Sequence, residues 1–331
     1  MNALSRRTFL AGIGALAAGC GGGSGGTAPS AAVPNGLTTA PRLYLVDTTP
    51  SLMTFPLPPI AAGNEPPSTR VFGIADTLTV PVAIARDTGG AIYVGEQTSA
   101  SIKVFASGAN GDAAPSRVLA GTSTQLAFGA IPALDAQNRL YAGVSSRRAD
   151  GSYAGAVLRF PAGAGGDTAP DLVLSGSATT LTRITGLAVD AAGGLYVADT
   201  SGVKIFAPNA SGNAAPTGVT ENDVAGAVAV DPDGTLYAVG PSSSVVAYPR
   251  GTIGTGSHFA SQLIISDDGR IAANVRITSI AVDATALYLV DTAPNRPYVY
   301  IVPKTATGLV SPSVIVAGIA TTITAPLAVA V

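Results

Sequence analysis

A short apolar hairpin recurs along the chain and limits the folds open to it. The second strand of each hairpin carries a tyrosine, and these six of the ten tyrosines lie 41 to 55 residues apart. The six tyrosine strands are Leu43-Tyr44-Leu45, Ile92-Tyr93-Val94, Leu140-Tyr141-Ala142, Leu195-Tyr196-Val197, Leu236-Tyr237-Ala238 and Leu287-Tyr288-Leu289. A repeat of this length, built from short strands and turns, is typical of architectures in which each unit buries its face against its neighbours.

Each unit contains three other short apolar strands. An alanine-centred strand precedes most of the tyrosines, as Leu187-Ala188-Val189 precedes Tyr196. A third strand ends near an aromatic residue such as Phe206, and a loop with a glycine and a proline four residues apart leads to the fourth strand. Four antiparallel strands in a unit of about 49 residues predict a β-propeller blade.

The two ends of the chain are out of step by one strand. Tyr44 has no alanine-centred strand before it, whereas Pro326-Leu-Ala-Val-Ala-Val331 is an alanine-centred strand with no tyrosine after it. The C-terminal strand is therefore predicted to join the N-terminal blade and close the ring. The resulting fold is an all-β, six-bladed propeller over residues 42–331 with no exposed sheet edge at the junction.

Composition restricts the kinds of function open to the chain. Glycine (40) and proline (24) are abundant, but they fall between runs of Val, Ile, Leu and Tyr and therefore predict turns, not disorder. The formal charge is −2, and without Arg6 and Arg7 it is −4, with no basic stripe, so nucleic acid is not an expected partner. One cysteine and one histidine leave little room for a His/Cys metal site and none for an internal disulfide.

Residues 1–19 have the pattern of an export signal and not of a folded segment. Ser5-Arg6-Arg7-Thr8-Phe9-Leu10 resembles a twin-arginine export motif, and the apolar stretch after it is too short to span a bilayer as a stable helix. Leu16-Ala-Ala-Gly-Cys20 resembles a bacterial lipobox, in which the cysteine is lipidated after cleavage. The alternative is a soluble secreted protein that is cleaved nearby.

Residues 20–41 are rich in Gly, Ser and Pro and predict a flexible tether between Cys20 and the propeller. Together these segments predict a monomer exported by the twin-arginine route. It would be anchored by lipid in the bacterial cell envelope, on the periplasmic or the cell-surface side.

The repeats resemble those of NHL-type six-bladed propellers. The resemblance rests on Gly186-Leu-Ala-Val-Asp-Ala-Ala-Gly-Gly-Leu-Tyr-Val-Ala-Asp199, on Lys204-Ile-Phe206 and on the loop Gly108–Asp112, and it covers roughly residues 42–331. It implies the fold more strongly than the function, because NHL-type propellers include binding platforms, lactonases and lyases.

Carboxylates end four of the second strands. They are Asp47, Glu96, Asp199 and Asp291; the third unit has Ser145-Ser146 there and the fifth has Gly240. One interpretation is a partial acidic ring at the channel mouth that holds a hard cation such as Ca²⁺. The other is that each carboxylate fixes a turn by hydrogen bonds to the backbone.

A second acidic set follows the alanine-centred strands and is predicted to form turns on the opposite face. Its members are Asp87, Asp135, Asp190, Asp231 and Asp283.

Two irregular loops are further candidates for function. The insertion Arg147-Arg148-Ala-Asp-Gly-Ser-Tyr153 has two arginines and a tyrosine suited to an anionic or glycan partner, or it is simply a solvated hairpin. His258 is a lone imidazole that is either a general base or a surface histidine, and the sequence puts no nucleophile beside it.

These observations favour a binding or scaffolding module at the cell envelope, with a protein or glycan partner and no assigned catalytic residue. The alternative is a cation-dependent, lactonase-like hydrolase or lyase acting on a small ester or lactone. The resemblance implies a central cation held by Glu, Asp and Asn for that activity. Here Glu96, Asp199, Asn222 and Asn274 would be the available ligands.

Overall fold

The computed structural model describes residues 42–57, 63–220, 226–240, 244–254, 261–267, 270–271, 275–293 and 297–331. In chain order its strands are β1 (Arg42–Asp47), β2 (Ser51–Pro56), β3 (Thr69–Val71), β4 (Pro81–Arg86), β5 (Ile92–Glu96), β6 (Ser101–Phe105), β7 (Arg117–Ala120), β8 (Ile131–Leu134), β9 (Leu140–Arg147), β10 (Tyr153–Phe160), β11 (Leu172–Ser175), β12 (Ile184–Val189) and β13 (Leu195–Asp199). They continue as β14 (Gly202–Phe206), β15 (Gly218–Val219), β16 (Val228–Val230), β17 (Leu236–Val239), β18 (Val245–Tyr248), β19 (Ser261–Asp267), β20 (Arg270–Ile271), β21 (Ile277–Val282), β22 (Ala286–Asp291), β23 (Tyr298–Pro303), β24 (Gly308–Val310), β25 (Val314–Val316) and β26 (Pro326–Ala330). Three short 3₁₀ turns lie at Thr122–Thr124, Ser177–Thr179 and Ile319–Thr321.

The strands form six sheets, each built on four antiparallel strands, which confirms the predicted propeller. From the innermost strand outward, the blades are β26-β1-β2-β3, β4-β5-β6-β7, β8-β9-β10-β11, β12-β13-β14-β15, β16-β17-β18-β19 and β21-β22-β23-β25, numbered here as blades 1 to 6. Blade 5 also carries β20, and β24 pairs in parallel with its outermost strand. Each innermost strand contacts the innermost strands of both neighbouring blades, so the six of them surround the axis.

The C-terminal strand closes the ring as predicted. β26 pairs antiparallel with β1, with Tyr44 opposite Ala330 and Leu45 opposite Val329. Blade 1 is thus assembled from both ends of the chain.

The second strand of each blade is buried on both faces because its alternate side chains serve different neighbours. Leu43 and Leu45 pack with residues of blade 6, whereas Tyr44 and Val46 pack with residues of blade 2. Successive side chains of the strand therefore point in alternate directions, but both sets are apolar because each faces a hydrophobic core.

The loops with glycine and proline four residues apart bind the blades to one another at the rim. Gly111 donates its amide to Arg70 O (2.8 Å) and accepts from Phe72 N (3.0 Å), both on the preceding blade. The next residue, Asp112, accepts from the amide of Ala75 (2.7 Å). The same bond to the preceding blade recurs from Asp167 to Ser123 N, from Asn213 to Ala178 N and from Asn64 to Ala320 N.

The topology gives the disc two distinct faces. The turn face carries the turns that join innermost to second strands. The loop face carries the loops that join second to third strands, together with the loops that precede the innermost strands. Arg42 begins β1 at the turn face, since it lies at the end of the strand opposite Asp47.

Candidate functional site

A cavity of about 670 Å³ lies on the propeller axis and opens at the loop face. All six innermost strands contribute to its wall, for example Ile84 in blade 2, Leu187 in blade 4 and Ile280 in blade 6. The cavity is therefore a product of ring closure, and no single repeat contains it.

Arginine is the only charged residue type that lines this cavity within the described part of the chain. The two arginines are Arg147, at the end of β9, and Arg183, just before β12, and the described lining includes no Asp or Glu. The Arg183 guanidinium carbon lies 5.5 Å from the centre of the Tyr153 ring, within the range of a cation–π contact. Tyr153 is in turn the cross-strand partner of Arg147. The three side chains form one cationic and aromatic rim.

Hydrogen bonds around Arg183 hold this rim in place. Ile184 donates its amide to the hydroxyl of Ser145 (2.9 Å), which joins blade 4 to the extended hairpin of blade 3. Gly155 donates to Leu181 O (3.1 Å), and Thr200 donates to Arg183 O (3.2 Å). The backbone that carries Arg183 is therefore fixed from both blades.

Most side chains of the wall below the rim are apolar, although Thr185, Thr278 and Ser279 lie among them. Ile84, Leu187, Ile280 and Val329 lie at or towards the turn-face ends of their strands and are all nearly buried. Phe128, by contrast, lies in the loop before β8 at the rim and is 66% exposed. The site thus has a cationic rim above an apolar floor.

A second cavity of about 720 Å³ adjoins the first and shares Val82, Thr278 and Leu327 with it. Arg276 and Asp291 are the charged residues in its described lining. The hydroxyl of Thr278 is buried and has no hydrogen-bond partner among the described residues.

The four carboxylates predicted to form a ring at the channel mouth are fully buried. Each binds the loop that precedes the innermost strand of its own blade. Asp47 accepts from the amides of Thr324 (2.8 Å) and Ala325 (3.0 Å), and Asp199 accepts from that of Thr182 (2.8 Å). Glu96 and Asp291 make the same bond to Val80 (3.1 Å) and Arg276 (2.9 Å).

The third strand supplies a partner for three of these carboxylates. Each partner lies opposite the residue two positions before the carboxylate. Lys103 binds Glu96 (3.3 Å), Lys204 binds Asp199, and the hydroxyl of Tyr300 binds Asp291 (2.9 Å). All three partners occupy the same register position in their blades. The sequence reveals the carboxylates but not these partners, because strand pairing sets the spacing between them.

Blades 3 and 5 lack the carboxylate, and they also lack the polar partner. Strand register places Val144, and not Ser145 as the sequence suggested, at the carboxylate position of blade 3, and it places Gly240 there in blade 5. The third strands carry Leu158 and Val246 at the partner position. Carboxylate and partner thus occur together or not at all, except in blade 1, where Met53 occupies the partner position.

The electrostatics of Asp47 and Asp199 reflect these bonds. Burial acts to raise the pKa of Asp47, but the hydrogen bonds from Thr324, Thr49 and Ala325 outweigh it and hold the pKa below its ordinary value. Burial likewise acts to raise the pKa of Asp199, and the Lys204 ammonium and the backbone amides lower it further than burial raises it.

No group of three or more Asp, Glu, His or Cys side chains comes together as a metal-binding cluster within the described residues. The oxygens of the four carboxylates already accept hydrogen bonds from backbone amides. A Ca²⁺ ion held by Asp47, Glu96, Asp199 and Asp291 stays a prediction.

The second acidic set lies in the turns of the turn face. Asp190 accepts from the amides of Ala192 (2.9 Å) and Gly194 (2.7 Å), and Asp87, Asp135, Asp231 and Asp283 bind their turns in the same way. The tyrosine of the second strand completes this arrangement, because Tyr288 donates to Asp283 Oδ2 (2.7 Å) and Tyr196 to Asp190 Oδ2 (3.3 Å). In blades 4, 5 and 6 the tyrosine thus binds the turn before its own strand.

Several predicted features lie outside the described residues. These are Arg6, Arg7, Cys20, the whole of residues 1–41, Asn222, His258 and Asn274. Of the predicted recognition loop, Arg147 and Tyr153 line the cavity, whereas Arg148 lies in the hairpin turn and is exposed. Arg183 was missed. Its one sequence signal is that Arg183 and Arg276 stand directly before the innermost strands of their blades.

No known protein family matches the chain, and no curated protein matches it. Solved structures do match. The WD40 β-propeller domain of Doa1 is 9% identical with a TM-score of 0.50, and the alignment covers 87% of this chain and 81% of that one. A protein of unknown function from Bacteroides caccae is 8% identical with a TM-score of 0.51, over 87% of this chain and 97% of that one.

These similarities and the sheet topology define the chain as a six-bladed β-propeller. At such low identity they establish the fold alone. Among the described residues, no helix has the length and apolarity needed to cross a membrane.

Proposed function

We propose that this protein is a binding propeller of the bacterial cell envelope that holds an anionic protein or glycan partner on its loop face. The observation that carries the proposal is the pair of arginines at the rim of the axial cavity. Neither Arg147 nor Arg183 forms a salt bridge with a carboxylate of the described residues. Cationic groups with no carboxylate partner among the described residues, focused at one cleft of a net-acidic chain, favour an anionic ligand.

The extended hairpin of β9 and β10 supplies the outward part of this surface. Its strands are each eight residues long, whereas the matching strands of the other blades have four to six. Arg148 is exposed in the turn at its tip, and Arg147 and Tyr153 join the tip to the cavity below. Arginine and tyrosine are residue types that dominate binding energy at interfaces.

The cellular location of the protein forms part of the same proposal. A twin-arginine signal with Arg6 and Arg7 would export the chain, and lipid on Cys20 would anchor it. The NHL-type character of the repeats is likewise proposed from their sequences. β1, the first described strand, begins at the turn face, whereas the arginines lie at the loop face.

Capture of partners from the native envelope fraction tests the proposal. We expect the variant Arg147→Ala, Arg148→Ala to lose at least about tenfold of the anionic partner captured by the wild type, because hydrogen bonds to charged groups are the strong ones. Capture by the wild type should also fall as salt is raised.

The matched control is Arg42→Ala, Arg250→Ala, which removes the same charge from the turn face. It should capture as much partner as the wild type. Undiminished capture by the Arg147→Ala, Arg148→Ala variant would contradict the proposal, as would equal losses from both variants.

A further inference from the structure

The geometry points to the axial cavity as a binding site for a small organic anion with an apolar body, such as an aryl carboxylate. This inference rests on the proposed function, in that it uses the same face. It requires only the cavity and not a macromolecular partner. The ligand could be free or could be the end group of the partner, and the chemistry of recognition is the same.

The anionic part of the ligand follows from the rim. Arg147 and Arg183 converge on a cavity that has no carboxylate in its described lining. A guanidinium offers a planar fork of donors that matches the two oxygens of a carboxylate. The Tyr153 ring contacts the Arg183 guanidinium, and the bond between Ile184 N and Ser145 Oγ fixes the backbone beside it.

The apolar part follows from the floor and from the size of the cavity. Ile84, Leu187 and Ile280 offer no charge to a ligand, and the exposed ring of Phe128 adds an aromatic wall at the rim. A volume of about 670 Å³ falls within the ordinary range of small-molecule sites.

Calorimetric titration of the full-length protein with benzoate, and with its neutral isostere benzamide, tests this inference. We expect benzoate to bind and benzamide to bind at least tenfold more weakly. Arg183→Ala should weaken benzoate by tenfold or more. Arg148→Ala should leave it within twofold, because Arg148 does not line the cavity.

Equal binding of the two probes, no binding of benzoate at millimolar concentration, or an unchanged affinity in Arg183→Ala would each overturn the inference. The Arg148 variants separate the two proposals. Loss of partner capture in Arg147→Ala, Arg148→Ala, together with benzoate binding that is retained in Arg148→Ala and weakened in Arg183→Ala, supports both proposals. Benzoate binding without any captured partner would leave the cavity site standing and contradict only the macromolecular partner.

A second inference concerns Asp76, in the loop between blades 1 and 2. Four of these loops contain the same turn, in which a glycine is followed three residues later by a residue with a short polar side chain. In three blades that residue is a threonine whose hydroxyl donates to the glycine carbonyl and accepts from the amide two residues on. They are Thr124 to Gly121, Thr179 to Gly176 and Thr321 to Gly318, each 2.7 Å.

Asp76 replaces the threonine in the fourth turn. Its Oδ1 accepts from the amide of Leu78 (2.8 Å), as the threonine oxygens do from theirs. Its Oδ2 is buried and has no partner among the described residues, although Gly73 stands where the other turns have their accepting glycine. All four turns share a positive φ at the residue after the polar one, at Thr77, Gln125, Thr180 and Thr322. The three threonine turns are 3₁₀ turns, whereas Asp76 lies in a simple turn.

We infer that Asp76 is protonated in the folded protein and that its Oδ2–H donates to the carbonyl of Gly73, as a threonine hydroxyl would. The charges around it agree with this state. Asp112, Glu96 and Lys103 are the ionisable groups that face Asp76, and Lys103 is already bound to Glu96 and to Thr77 O. An ionised Asp76 would place a second buried carboxylate beside a single lysine.

The same environment sets the direction of pH dependence. Burial raises the pKa of Asp76, with Asp112 and Glu96 adding to it against Lys103 and the Leu78 amide. A carboxyl whose folded pKa lies above its unfolded value stabilises the fold at low pH, and that stability is lost as pH rises through the folded pKa. The loop before blade 2, which also carries Thr79 and Val80 against Glu96, would loosen on the alkaline side.

Melting temperatures across about pH 4 to pH 9 test the inference, with variants that include the threonine found in the other three turns. Asp76→Thr should melt above the wild type at neutral pH, and the difference should vanish towards pH 4. Asp76→Asn, a permanent mimic of the neutral acid, should behave in the same way. Thr179→Asp should create the same pH dependence in blade 4.

Infrared difference spectra of the wild type against Asp76→Asn should show the carbonyl stretch of a protonated carboxylic acid at low pH. A melting difference between the wild type and Asp76→Thr that is constant across this pH range would overturn the inference. So would an infrared difference that shows only carboxylate at the lowest pH.

Discussion

Deletion of residues 325–331 should abolish the cooperative unfolding of the propeller. β26 pairs with β1 over four residue pairs, and Val329, Ala328 and Ala330 are buried in the spaces between blade 1 and both of its neighbours. Without this strand the edge of β1 is unpaired, and the carboxylate of Asp47 loses the amide of Ala325. Thermal unfolding followed by circular dichroism measures the effect.

Deletion of Val331 alone is the control, because this residue lies beyond the end of β26. A permuted chain that places residues 325–331 before Arg42, joined by a copy of the Asp87–Ala91 turn, should recover the melting temperature of the wild type. A truncated protein that melts like the wild type would contradict closure by this strand.

Removal of the Asp199 carboxylate should destabilise the protein more than most single substitutions. Asp199→Val leaves the ammonium of Lys204 in a site where its side chain is only 3% exposed, and breaking a buried pair in this way typically costs about 3–5 kcal/mol. The double variant Asp199→Val, Lys204→Leu copies Val144 and Leu158 of blade 3. It should recover most of that loss, because an apolar pair needs no desolvation of charge.

Chemical denaturation of the wild type, both single variants and the double variant gives the coupling energy. A double variant as unstable as the sum of the single variants would show that the two side chains do not stabilise the fold as a pair. The pair also predicts acid sensitivity. Since the pKa of Asp199 is below its ordinary value, its stabilisation is present at neutral pH and is lost as pH falls below 3.8.

Opposite pH effects distinguish the two kinds of buried carboxylate in this protein. Asp199 is charged and paired, so its contribution to stability is lost in acid. Asp76 is inferred to be neutral, so its contribution to stability is lost in alkali. Both aspartates are fully buried, Asp199 at the end of β13 and Asp76 in the loop before β4, and burial alone does not separate them. The hydrogen-bond donors around each carboxylate distinguish them, since Asp199 has the Lys204 ammonium and Asp76 has only the Leu78 amide among the described residues.

The fold could be predicted from the sequence because a propeller repeats its hydrophobic pattern six times. Tyr44 and its five equivalents set the blade number, and the unmatched strand at Pro326 set the closure. The candidate site could be predicted only in part. Arg147 and Tyr153 stood out because they interrupt the repeat, but Arg183 lies within it and nothing in its own sequence context places it beside Tyr153.

The sequence by itself determined the class, the number of blades and the way in which the ring closes, since these depend on the order and spacing of short apolar strands. Only the tertiary structure decided what the carboxylates do. Asp47, Glu96, Asp199 and Asp291 look alike along the chain, yet each is fully buried and bound to its own loop. The cavity likewise exists only once six strands meet on one axis, because contacts between distant repeats create it and no local pattern records them.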